Sequence, residues 1–170
     1  MTANAPEKVL LYGFGNPMRE DDGLGPAAAE AIEKLDIDGV TVDSNYQLTV
    51  EDSAAVAEHD YVVFVDAAVK GAEPFSLTRL TPKRQESYSS HSVEPDAVLW
   101  LAEDLFAAKT VGYIIGIRGY SFEMFTETMT KKASDNLEKA LDFLESFLNS
   151  KSFIRAEQEY ETFIKRIQKI

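Results

Sequence analysis

Tyr61-Val62-Val63-Phe64-Val65, followed by Asp66, is the stretch that decides the fold. Five consecutive apolar residues, mostly β-branched or aromatic, suit a strand covered on both faces. Asp66 then marks its carboxyl end. Upstream, Val9 to Gly15 reads as a second buried strand, apolar and closed by glycines. Asn16 to Gly25 is a loop. Pro26 opens a helix over Ala27 to Leu35, at a position where its missing N–H costs nothing, with Ile32 and Leu35 on one face. Val40 to Asp43 is a short strand. Thr49-Val50-Glu51-Asp52 resembles a capping box and begins a helix through Glu58.

Downstream, Phe75 to Leu80 alternates and follows a short Gly71 to Pro74 connection, as an edge strand would. After a polar loop, Ser92 is placed to cap a helix that has Pro95 in its first turn and runs to Phe106. Thr110 to Ile117 is a strand and Arg118 to Thr130 a loop. Lys132 to Leu148 is an amphipathic helix with Leu137, Leu141, Leu144 and Leu148 on one face. Strands alternating with helices predict a three-layer α/β/α sandwich. Its twisted sheet would be mostly parallel, with about five strands, one of them an antiparallel edge strand.

The 170 residues are enough for one core-bearing domain, expected over residues 1–150. Residues 151–170 read as a C-terminal amphipathic helical extension, hinged at Ser150-Lys151-Ser152. Ala156, Tyr160, Phe163, Ile167 and Ile170 form its apolar stripe. That tail carries five cations against three carboxylates, whereas the whole chain has a net charge of -12. It is expected to pack on its own acidic body in a monomer, with dimerisation through this helix as the alternative. An acidic body repels phosphate backbones, which argues against nucleic acid. No apolar run approaches a membrane span, and Met1 to Lys8 lacks the core of a signal peptide. A cytoplasmic protein is therefore expected. Cysteine is absent, so thiolate metal sites, iron–sulfur ligation and thiol nucleophiles are excluded. Any metal must be held by carboxylate, imidazole or backbone oxygen.

Open α/β sheets bind ligands beyond the carboxyl ends of their strands. Asp22, in the loop after the first strand, and Asp66 both fall there. His91 lies just before a helix. Two carboxylates and an imidazole make a partial ligand set for a divalent metal, with coordination positions left open. Each residue also has an ordinary reading: Asp21 or Asp22 as a helix cap, Asp66 as a solvated strand end, His91 as a loop residue. Other motifs fail. Gly13-x-Gly15 begins like a dinucleotide loop, but Met18 stands where the third glycine is needed. HExxH and GxSxG are both absent.

Gly13-Phe14-Gly15-Asn16-Pro17-Met18-Arg19-Glu20-Asp21-Asp22-Gly23-Leu24-Gly25 resembles the GxGNxxxxDDGxG signature of the nickel-iron hydrogenase maturation proteases. Asp66 in Val65-Asp66-Ala67 is similar to that family's second acidic residue, and His91 in Ser90-His91-Ser92 to its histidine. Ile115-Gly116-Ile117 and Phe122-Glu123 resemble later segments, so the likeness runs from about Val9 to Leu148. It implies an endopeptidase that removes the C-terminal extension of a hydrogenase large-subunit precursor after nickel insertion. It implies Asp22, Asp66 and His91 as metal-binding and catalytic residues, the first being Glu in some members. It further implies nickel supplied by the precursor, no organic cofactor, and the precursor as partner. Asp21 enters only as a supporting residue. A non-proteolytic nickel carrier or maturation checkpoint protein using the same three residues is the alternative. Two departures stand out. Arg118-Gly119 replaces a Glu-Pro pair, and Met124 to Met129 replaces a Leu-Ser-Pro segment in a loop placed to contact substrate.

Overall fold

The computed structural model describes residues 5–87 and 92–169; His91 lies outside them. Strands β1 (Val9–Phe14), β2 (Val40–Asn45), β3 (Tyr61–Ala68), β4 (Phe75–Arg79) and β5 (Val111–Arg118) form one sheet in the order β2-β1-β3-β5-β4. All neighbours are parallel except β4, which runs antiparallel beside β5 at the edge. Helices α1 (Leu24–Leu35), α4 (Lys131–Ser150) and α5 (Ala156–Gln168) cover one face. Helices α2 (Asp52–Ala57) and α3 (Pro95–Phe106) cover the other. The strands sort their side chains by strict alternation. Val9, Leu11, Val63, Val65, Ile115 and Ile117 enter the first core; Leu10, Tyr12, Val62 and Phe64 enter the second. The expected three-layer α/β/α sandwich with its antiparallel edge strand is the fold observed.

Several boundaries differ for local reasons. β3 does not stop at Val65. Its ladder with β5 continues through Asp66↔Gly116 to Ala68↔Arg118, so Asp66 is a strand residue and Arg118 closes β5. α1 starts at Leu24, placing Pro26 in its first turn, where no intrahelical bond is lost. Glu94, not Ser92, sits at the N-cap of α3, because Pro95 forces an extended backbone on the residue before it. Thr130 caps α4 through its side chain, which accepts from the Ala133 N–H, so that helix begins at Lys131. At the capping-box sequence, the Thr49 N–H donates to Asp52 Oδ2 at 2.7 Å, but regular α-helix starts only at Asp52.

The C-terminal segment forms a short 3-10 turn, Phe153–Arg155, and then α5. Phe75 of the edge strand packs against Phe143 of α4 and against Tyr160 and Phe163 of α5, with ring centroids 5.4–5.9 Å apart. The Tyr160 hydroxyl donates to the Phe75 carbonyl at 2.7 Å, and the Tyr113 hydroxyl to that of Phe153 at 3.0 Å. Ala156, Tyr160, Phe163 and Ile167 of the apolar stripe thus lie against the body of their own chain, and Ile170 falls outside the described residues.

One contact fixes α1 over the carboxyl ends of β1 and β3. A Cβ on Gly13 would lie 2.1 Å from the Gly25 carbonyl oxygen. A Cβ on Gly25 would lie 2.3 Å from the oxygen of Phe14 and 2.5 Å from that of Val65. Only two glycines permit this backbone-to-backbone approach. Gly25→Ala is therefore expected to cost about 3 kcal/mol or more, and to lower the midpoint of a thermal melt by several degrees at least. Gly71→Ala, where a Cβ meets nothing and only a φ of +105° resists, is expected to cost about 1 kcal/mol. Equal melts for the two variants would refute the backbone contact.

Candidate active site

After β1 the chain makes a tight excursion held by its own side chains. Asn16 Oδ1 accepts from the Met18 N–H at 2.9 Å, and the Asn16 carbonyl from the Arg19 N–H at 3.0 Å. A 3-10 turn, Glu20–Gly23, follows and leads directly into α1. Asp22 lies in that turn. Its Oδ2 accepts from the Asn16 N–H at 2.8 Å, and its Oδ1 takes no hydrogen bond among the described residues. Asp66, on the neighbouring strand, is held in the same way: Oδ1 accepts from the Ala67 N–H at 2.8 Å. Each carboxylate is thus oriented by one oxygen.

The sheet order makes this position specific. From β1 the chain moves to β2 on one side and then to β3 on the other, so β1 and β3 flank the topological switch point. That is where an open α/β sheet forms its ligand crevice. Asp22, in the turn after β1, and Asp66, on β3, both lie at the carboxyl end of that crevice. The Asp66 carboxyl registers the neighbourhood: burial, followed by the charges of Asp22 and Glu94, pushes its pKa up to about 7, against the Ala67 hydrogen bond. Two carboxylates within range of each other's field attract a divalent cation, which would relieve their repulsion. The Asp66 carboxyl can also take up or release a proton near neutral pH. No cluster of three ligating side chains occurs among the described residues, and the third expected member, His91, falls outside them.

Asp21 departs from its minor place in the sequence reading. It is fully buried, 0% exposed, and caps nothing in α1, whose N-cap is Gly23. Its Oδ2 accepts from the N–H groups of Tyr120 (2.7 Å) and Ser121 (3.1 Å) and from the Thr130 hydroxyl (2.8 Å). Its Oδ1 accepts from the Thr130 N–H at 2.8 Å. Burial alone would raise its pKa, but these donors outweigh it and hold the carboxyl below the usual value. The Asp21 N–H in turn donates to the Ser121 carbonyl, and Glu20 and Met18 exchange backbone hydrogen bonds with Thr126. The loop between β5 and α4 is therefore clamped onto the Asp22 turn. Glycine at 119 belongs to this clamp. Its N–H donates to the Ala68 carbonyl, and a Cβ there would lie 2.8 Å from the Asp21 Cβ. Proline, expected there from the resemblance, could do neither.

No family model matches the chain, and no curated protein is similar to it. Solved structures do match. The [NiFe] hydrogenase maturation protease HycI from Thermococcus kodakarensis KOD1 superposes with a TM-score of 0.66 at 22% identity, over 85% of this chain and 94% of its own. The endopeptidase HycI from Escherichia coli gives 0.62 at 21% identity, over 82% and 90% of the two chains. The hydrogenase maturating endopeptidase HybD from E. coli gives 0.60 at 22%, over 84% and 93%. The chain has the fold of the hydrogenase maturation endopeptidases.

The two aspartates predict opposite pH behaviour in the metal-free protein. Asp66 has a raised folded-state pKa, so its contribution to stability is full below about pH 4 and lost as pH rises through about 7. Asp66→Asn is expected to stabilise at pH 8, on the order of 2 kcal/mol after discounting for the water that reaches the group, and to be nearly neutral at pH 4. Asp21 has a lowered pKa, so its contribution is present above the ordinary carboxyl value of 3.8 and lost below it. Asp21→Asn is expected to destabilise by about 2–4 kcal/mol at pH 7, the gap closing in acid. Denaturant melts across pH 3–8 check both signs.

Proposed function

We propose that this chain is an endopeptidase that removes the C-terminal extension of a nickel-iron hydrogenase large-subunit precursor after nickel insertion. The observation that supports it most is the placement of Asp22 and Asp66, the charge of the first acting on the carboxyl of the second, at the switch point of a fold shared with maturation endopeptidases. The nickel belongs to the substrate. Asp22, Asp66 and His91 complete its coordination, so binding energy becomes available only once the metal is in place. Each aspartate has one oxygen fixed by a backbone amide, and the other takes no hydrogen bond among the described residues. Such anchoring lets a carboxylate ligand meet an incoming ion without reorganising. With the ion seated, the scissile peptide lies beside it. The ion can then polarise the peptide carbonyl or an attacking water. Hydrolysis adds that water across the peptide bond, giving a new carboxylate and a free amine. With no cysteine in the chain, a thiolate acyl-enzyme has no place in the reaction.

Incubation with a nickel-loaded precursor is expected to shorten it, read as a mobility shift and an intact mass. Asp22→Ala and His91→Ala are each expected to slow this at least about 100-fold. Cleavage persisting in both variants would sink the assigned site. A nickel-free precursor cut at the same rate would sink the metal-recognition step. Tight binding without a cleaved product would favour the carrier or checkpoint reading.

A further inference from the structure

The loop that Asp21 clamps down carries an unusual outer surface. Residues 18–20 and 126 run side by side: the Thr126 N–H donates to the Met18 carbonyl, the Glu20 N–H to the Thr126 carbonyl, and Arg19 and Thr126 form a parallel bridge. This short ribbon holds three large apolar side chains out into solvent. Phe125 is 83% exposed, Met124 51% and Met18 37%. Phe125 also has a φ of +61°, a conformation that side chains with a Cβ rarely adopt. A well-pinned turn thus holds a strained backbone that presents an aromatic ring to water, on a ribbon joined through residues 18–20 to the turn that carries Asp22. Scattered exposed apolar residues need no explanation, but a cluster on a fixed ribbon at the rim of a site marks a contact surface. Its charge narrows the partner. The ribbon itself, residues 18–20 and 123–127, carries Glu20, Glu123 and Glu127 against Arg19. Of the cations just beyond it, Lys131 pairs with Asp135, Lys132 with Glu73, and Arg118 donates to the Gly71 and Gly119 carbonyls.

Resting on the endopeptidase reading, we propose that Met18, Met124 and Phe125, edged by Glu123 and Glu127, are the docking surface for a segment of the protein substrate that carries apolar side chains beside lysine or arginine. The apolar residues supply contact area next to the carboxylate pair. The glutamates select and steer a basic neighbour, an effect that weakens with salt. Continuity with the Asp22 turn gives the surface its purpose: a segment held on the ribbon is presented to the crevice between β1 and β3.

The test separates docking from chemistry. Asparagine tolerates a positive φ, so Phe125→Asn removes the ring without disturbing the turn; an unchanged thermal melt checks that. With nickel-loaded precursor, Phe125→Asn combined with Met124→Ser is expected to raise KM tenfold or more with kcat within twofold. Glu123→Lys with Glu127→Lys is expected to lower kcat/KM at low salt and to flatten its salt dependence. An unchanged KM, or a loss confined to kcat, would overturn the docking assignment. If the parent protein cuts nothing, the endopeptidase reading fails, and docking is read instead from precursor binding to immobilised parent and Phe125→Asn proteins. Equal binding, or none to either, overturns it. Concentration-dependent dimerisation of the parent that Phe125→Asn abolishes would assign the surface to self-association and overturn it as well.

Discussion

The arrangement of this site depends on a carboxylate that never meets solvent. Ionised and buried without a cation bonded to it, Asp21 would carry a desolvation cost of several kcal/mol. Four donors from one distant loop offset it, and hydrogen bonds to a charge are among the stronger ones available. The consequence is mechanical. Because the donors come from Tyr120, Ser121 and Thr130, the turn after β1 and the loop after β5 behave as one unit. Asp22 is the next residue along, so its direction is constrained by a neighbour whose carboxylate is fully occupied with the clamp. The amino end of α1 completes the frame, pressed by Gly13 and Gly25 onto the very strand ends between which a ligand would sit.

Much of this is legible in the sequence. Continuous apolar runs at Val9 to Tyr12 and Tyr61 to Val65 require a sheet covered on both sides, and the alternation of elements gives its parallel sense. The acidic positions follow from where such strands end. What escapes reading is decided by partners far away in the chain. Asp66 looks like a strand terminus because its side chain is polar, yet the ladder to β5 carries the strand two residues further, to Ala68. Ser92 is a good capping residue in isolation, and Pro95 overrules it from three positions away. The work of Asp21 is invisible locally, since its nearest donor in sequence is 99 residues off. The exposure of Phe125 is equally hidden, because it depends on how that loop is pinned to residues 18–20, more than a hundred residues away.

The same division explains how a chain only 22% identical to a hydrogenase maturation protease can superpose on it at a TM-score of 0.66. A sheet with two apolar faces tolerates many interchangeable residues, provided volume and alternation are kept. Backbone contacts and buried charges do not tolerate exchange in this way. Gly13, Gly25 and Asp21 all lie within the stretch by which the sequence resembles that family, whereas the loop bearing Met124 and Phe125 is where it departs. The two sides of one ribbon thus differ: one carries the turn that holds Asp22, the other the exposed side chains of Met124 and Phe125.

The two margins of the sheet tell a related story about how another polypeptide can be met. β2 is the outer strand on one side, and there the N–H groups of Ser44 and Tyr46 are taken by the side chains of Asp43 and Asn45 just before them. β4 is the outer strand on the other side, and α5 lies against it with Tyr160 bonded to a main-chain carbonyl. Both flanks are therefore discouraged from recruiting a foreign strand, which protects against stacking into aggregates. A chain that entered the crevice between β1 and β3 would meet the sheet end-on, across its strand tips, rather than alongside one of these edges.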